Sequence, residues 1–305
     1  MSVLEPAPQP TGDAVVLDHI GHWVPSLAPA ADTFEAMGFV LTPYAVHAQG
    51  TSLDPTAPAG SANRCAMLPA GYLELLEPIG DTPIARELRA GIARHPGVHI
   101  AAFAVADAAA HHERLAAAGF PRRPLVALER GITDASGAPA TLRFSVSRPQ
   151  PGSLPEGRVQ VLTHHTPELL WETRWLDHPN TAHALTDLVF CVDDPHEAAA
   201  RYGRYLDRPA RAVAGGHVIT LDRGQLTLLT PAAVTATLGE GTVPAVPAMV
   251  GYVVQCRDVG RALRSVEASG LAHRVSSDGA VVVRLPADTG GVVVLTGLRA
   301  DSLWG

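Results

Sequence analysis

Short apolar runs of strand composition, each followed by apolar positions at helical spacing, recur four times along the chain. In the first copy, residues 15–24 read as a strand. Leu27, Ala30, Ala31, Phe34 and Met37 then fall on one face of a helix, and Gly38 supplies its left-handed stop. Strands are expected over 39–46, 63–68 and 72–78, with a loop at 50–61 and a hairpin turn at Ala70-Gly71. The second copy opens at 98–105 and places Asp107 as an N-cap. Its helix runs through His111, Leu115 and Ala118 to Gly119, and strands follow at 125–129, 140–146 and 158–164. Residues 166–180, with Trp171 and Trp175, match no strand of the first copy and read as a connector that covers a cleft. The third copy has a strand at 185–192, a helix at 195–206 and strands at 218–221 and 225–230. The fourth has a strand at 250–256, a helix at 259–268 stopped at Gly270, and strands at 280–285 and 292–296. A βαβββ unit repeated four times makes the class α+β and predicts three segments: a flexible leader at 1–13, a domain at 14–180 and a domain at 181–305.

Composition narrows the chemistry. The chain has 305 residues, 47% of them hydrophobic, which suffices for two ordinary cores. A formal charge of −7 with scattered arginines argues against a nucleic-acid partner. No segment offers the roughly 20 apolar residues of a membrane helix, and the leader lacks the basic and apolar regions of a signal peptide. Cys65, Cys191 and Cys256 have no paired ligand spacing, so a reducing cytoplasm is the expectation. All 23 basic residues are arginine. The absence of lysine removes Schiff-base chemistry and a Walker-type phosphate loop, leaving carboxylates, hydroxyls, arginines and 14 histidines.

Leu17-Asp18-His19-Ile20 followed by a helix closing on Gly38-Phe39, and Gly60-Ser61-Ala62-Asn63 leading to Tyr72-Leu73-Glu74-Leu75, are similar to the opening and signature segments of a known group. With the fourfold unit, they resemble the vicinal-oxygen-chelate (VOC) superfamily, which holds glyoxalase I, the extradiol dioxygenases and bleomycin-resistance proteins. The resemblance is nearest to its glyoxalase-like subset. It implies two tandem half-barrels and a divalent metal (Fe, Mn, Ni, Co or Zn) held by His19, Glu74 and His99. The fourth ligand position is open. Aligning 73–78 with 162–167 puts Thr163 opposite Glu74, with His165 on the same strand face and His164 facing away unless a bulge intervenes. The matching positions of the second half, Asp187, Thr227, Gly251 and Val293, make no metal site. Chemistry is therefore expected in 14–180, whereas the two-domain extradiol enzymes keep their metal in the C-terminal half.

The residues themselves allow this reading and a blander one. Two imidazoles and a carboxylate suit a first-row divalent ion that polarises substrate oxygens. A strand histidine is more often a structural hydrogen-bonding residue, and Glu74 in an apolar strand is explained either by a partner or by an exposed edge. His165 and Glu168 are the expected catalytic bases, and Asn63, Arg64, His164 and Trp171 the expected substrate contacts. His22 should face away from His19. Arg122, Arg123 and Arg130 either meet an anionic substrate or are solvated surface. The expected function is a metal-dependent isomerase, lyase or dioxygenase acting on a small oxygen-chelating substrate, with a homodimer allowed. The alternative is a metal-free small-molecule binder of bleomycin-resistance type.

Overall fold

Strand β1 (Val15–Trp23) is buried along its whole length because both of its faces are covered. The computed structural model describes residues 4–48 and 58–298 and places β1 near the centre of an eight-stranded mixed sheet. Helix α1 (Leu27–Ala36) buries Leu27, Ala30, Ala31 and Phe34, and Gly38 ends it at φ 85°. The sheet continues through β2 (Ala45–Ala48), β3 (Pro58–Met67), β4 (Tyr72–Pro78), β5 (Gly97–Val105), β6 (Val126–Thr133), β7 (Pro139–Ser147) and β8 (Arg158–His164), in the order β2-β3-β4-β1-β5-β8-β7-β6. The expected strand at 39–46 shrinks to β2, and β3 begins earlier than its apolar pattern indicates; most of the expected loop at 50–61 lies outside the described residues.

The sheet curls into a half-barrel. Arg130 of β6 reaches Asn63 of β3, although these strands sit at nearly opposite ends of the strand order. The concave face carries Trp23, Leu76, Ile100, Ala102, Val146 and Leu162, closed at one end by Leu88 and Ile92 of α2 (Pro83–Arg94). This helix was not expected; Thr82 caps it by accepting from the Ala85 N–H. Gly21 lies under Ile100, whose Cβ would be 2.9 Å from a Cβ added there. The convex face, with α1 and α3 (Ala108–Ala117), packs against the second half of the chain.

That half repeats the plan. Strands β9 (Ala182–Cys191), β10 (Ala210–Val213), β11 (Gly216–Thr220), β12 (Gln225–Leu229), β13 (Ala248–Cys256), β14 (His273–Val275), β15 (Val281–Arg284) and β16 (Val292–Thr296) order as β10-β11-β12-β9-β13-β16-β15-β14. Helices α5 (Pro195–Leu206) and α7 (Val259–Ser269) join the shared core through Tyr202, Tyr205 and Val266. The other face of this sheet is packed with Val189, Val218, Val250, Val282 and Val294 under Val234 and Leu238 of α6 (Pro231–Leu238). The architecture is α+β, two tandem half-barrels back to back. Among the described residues no helix is long and apolar enough to cross a membrane.

Two elements differ from expectation in a way that shapes the concave face. The connector after β8 forms α4 (Pro167–Leu170) and a 3-10 turn at Thr173–Trp175, and buries Trp171 and Leu176 against Cys65, Met67 and Tyr72. The leader, expected to be flexible, is tied down where it is described: Leu4 packs on that cluster, the Ala7 N–H donates to the Pro69 carbonyl, and Arg223 donates to the Pro8 carbonyl. Its prolines free few donors, so a handful of backbone acceptors and one leucine suffice to dock it.

Candidate functional site

The concave face of the N-terminal sheet, here called the cup, is apolar at its α2 end and polar between α2 and Trp171. The β1–β5 register slips between Leu17 and His19, and this bulge lets Asp18 and His19 act on the same side. Asp18 is buried and accepts from two imidazoles, His19 Nδ1 at 2.7 Å and His164 Nε2 at 2.9 Å. The second bond passes over β5, where small Ala102 stands opposite His19. Burial alone would raise the Asp18 pKa, but His164 and His19 outweigh it and hold the carboxyl well below its usual range. With Nδ1–H donated to Asp18, His19 is left with an Nε2 lone pair that has no hydrogen-bond partner among the described residues.

Aromatic and polar side chains build the wall around His19. Its ring stacks on Tyr72 with centroids 4.3 Å apart, and Trp171 packs on both Tyr72 and His164 at 6.0 and 4.9 Å. Burial, with the charges of Asp18 and Glu74, pushes the Tyr72 phenol far above its ordinary value, so it remains protonated. Glu74 lies two residues from Tyr72 on the same strand face and accepts from Asn63 Nδ2 at 2.7 Å. Asn63 Oδ1 in turn faces Arg130 at 3.4 Å, and His47 lies 4.0 Å from Glu74. Cys65 completes this wall, but burial pushes its thiol far up, which rules it out as a ready nucleophile.

The expected metal ligands are not gathered at one point. His19 and Glu74 share the cup, with Tyr72 stacked on the imidazole. His99 sits at a second β1–β5 register slip, sandwiched between Trp23 and His95 with ring centroids 4.6 and 4.4 Å away. Its Nε2 donates to the His95 carbonyl at 2.8 Å, and burial lowers its pKa to about 4. The β1–β5 register sets its place: His19 lies opposite Ala102, and His99 falls further along β5, bonded to the His95 carbonyl after α2. Among the described residues no group of three or more His, Cys, Asp or Glu is arranged to hold a metal ion. His19, Glu74 and His99 as placed do not fit one divalent ion.

Other expectations sort by strand phase. Leu162 and His164 face inward, so Thr163 faces out, bonding the Val105 carbonyl and receiving the Ala108 N–H. His164 is thereby the inward histidine. His165 lies on the exposed side, 2.8 Å from Ser145 Oγ, and Glu168 is exposed in the first turn of α4; neither reaches the cup. The alignment that paired Thr163 with Glu74 was one residue out of phase, which exchanges inward and outward faces. Arg64 points out to Glu35 and the Thr42 carbonyl, whereas Asn63 and Trp171 do line the cup. His22 faces the opposite side from His19, bonded to Tyr252 and the Thr289 carbonyl. Asp18 was missed: its place beside His19 at a bulge left no periodic signal. In the second half, Asp187 accepts from Thr227 and Gln225.

Two back-to-back half-barrels, each of two βαβββ units, with a polar cup formed by β1, β3, β4 and β8 define a member of the VOC superfamily. Within it, residues 17–206 match the family described as a glyoxalase-like domain, and the chain belongs to that family. No protein of curated function matches the sequence. Among solved structures, a hypothetical protein from Staphylococcus aureus superposes with a TM-score of 0.64 at 9% identity, over 92% of this chain and 98% of that one. A variant of 4-hydroxymandelate synthase from Streptomyces coelicolor gives 0.57 at 15% identity, over 92% of both chains. A catechol 2,3-dioxygenase gives 0.53 at 14%, over 94% of this chain and 90% of that chain. At these identities the likeness is one of fold.

Proposed function

We propose that this chain is a small-molecule-converting enzyme of lyase or isomerase type whose N-terminal cup works by proton transfer at His19. The observation that carries the reading is the short Asp18–His19 hydrogen bond inside a buried wall. A carboxylate on Nδ1 selects the tautomer that presents Nε2 as a base and stabilises the imidazolium formed when it takes a proton. Asp18 stays ionised throughout, being held below its usual range, and His164 fixes its position from the other side. A substrate proton on carbon beside a carbonyl, or on a hydroxyl, is the chemistry such a base serves. Glu74, held by the Asn63 amide, supplies an acceptor for a substrate hydroxyl beside this base. Metal dependence of the kind known in the superfamily is not supported by the dispersed His19, Glu74 and His99.

One observation favours a second reading, a binder that does no chemistry: α2 and Trp171 occupy both ends of the cup. Incubating the protein in deuterium oxide with charged and neutral α-oxo and vicinal-diol compounds separates the two. Deuterium incorporation or turnover is expected in the wild type, falling by about 10²–10⁴-fold in His19→Gln. Tight binding of such a compound with no exchange would favour the binder. Elemental analysis beside these assays finding about one equivalent of transition metal, lost in His19→Gln, would replace proton transfer with a metal-centred account.

A further inference from the structure

We infer that the substrate of the cup is a small organic acid, anchored through its carboxylate by Arg130. The inference rests on the cup being the substrate site and adds what that site recognises.

Strand β6 alternates between half-buried and exposed positions, and Arg130 falls in the half-buried phase with Leu128, turned into the cup. Several arginines of this half pair with carboxylates, among them Arg64 with Glu35, Arg143 with Glu129 and Arg158 with Glu87, and half-buried Arg148, which has none among the described residues, gives its Nε–H to Gln160 at 2.8 Å. Arg130 has no carboxylate partner among the described residues. Its one hydrogen bond, 3.4 Å to the neutral Asn63 Oδ1, is long. A guanidinium inside a partly desolvated cup that meets only Asn63 Oδ1 among the described residues is matched by a planar, two-oxygen anion. The surroundings favour a carboxylate over a phosphate. Asn63 already links Arg130 to Glu74, and a dianion beside that carboxylate would be repelled more strongly than a monoanion. Asn63 Oδ1 is the group the ligand displaces, while Nδ2 stays on Glu74. Arg130 is near enough to Tyr72 for its charge to act on the phenol, and Tyr72 in turn stacks on His19.

Calorimetry on the full chain with pyruvate, lactate and benzoate, each beside its amide, and with inorganic phosphate, tests this. The acids are expected to bind more tightly than the amides. Arg130→Gln should weaken acid binding by about ten- to a hundredfold and leave the amides unchanged, with Arg130→Lys in between. Acids binding no better than amides, no acid binding at all, wild-type acid affinity in Arg130→Gln, or phosphate preferred through Arg130 would each overturn the assignment. Failure of the proton-transfer reading shows differently. His19→Gln would then retain deuterium exchange, whatever Arg130 does to acid affinity.

Discussion

At the scale of single residues, Asp18 carries the most consequence. It is a fully buried charge whose two partners come from its sequence neighbour and from a strand 146 residues away. Removing one side of such a pairing leaves the other uncompensated. Asp18→Asn is expected to cost about 3–5 kcal/mol in urea unfolding, more than an exposed Asp→Asn control such as Asp81. Buried histidines set a second expectation. His22 and His99 are both lowered to about 4 by burial, so between their ordinary 6.5 and that value the unfolded chain binds protons that the folded chain refuses. Stability from these groups is therefore present above 6.5 and is lost as pH falls toward 4, by roughly 3 kcal/mol each at most. Asp18 acts in the same direction at lower pH, because its folded value lies below 3.8. A melting temperature that stayed flat from pH 7 to 4.5 would contradict this.

At the scale of elements, helix α2 decides how much of the cup is available. Leu88 is fully buried against Trp23, Leu76 and Ile100. Leu88→Ala should destabilise by about 2–5 kcal/mol and enlarge the apolar end of the cup, seen as increased binding of a hydrophobic dye. The contact between β1 and β5 is similarly tight. Gly21→Ala would drive its new methyl into Ile100 and is expected to cost about 1–3 kcal/mol; Ile100→Ala in the same chain should recover part of it, as a double-mutant cycle would show.

At the scale of the molecule, the two halves share one core. Leu17, Ile20, Phe34 and Phe103 pack in the same cluster as Leu188, Phe190, Tyr202 and Tyr252, and the buried Glu156 joins Arg201 and Tyr202 across the boundary. Residues 1–180 alone would expose that face. They are expected to be aggregation-prone, while the full chain unfolds in a single transition by circular dichroism and intrinsic fluorescence alike. Two separated transitions would show that the halves are energetically independent. The second sheet backs β1 and β5 through this shared core, and its other face is filled by valines under α6.

Much of this was legible from local pattern. Strand and helix periods, Asp107 as an N-cap, Gly38 and Gly270 as stops and the fourfold repeat depend on neighbours within a few residues, and the structure reproduces them. The placing of His19 and Glu74 on one inward face likewise follows from a two-residue period counted along the strands, and the same period separates inward Asn63 from outward Arg64, neighbours expected together as substrate contacts. What lay beyond reach were features that one residue of phase or one distant partner decides. A bulge at Asp18 and another at His99, the inward turn of His164 rather than His165, and the register that sets His19 opposite Ala102 rather than His99 leave no periodic trace. They are settled by which strand lies beside which, and that pairing is a property of the folded sheet.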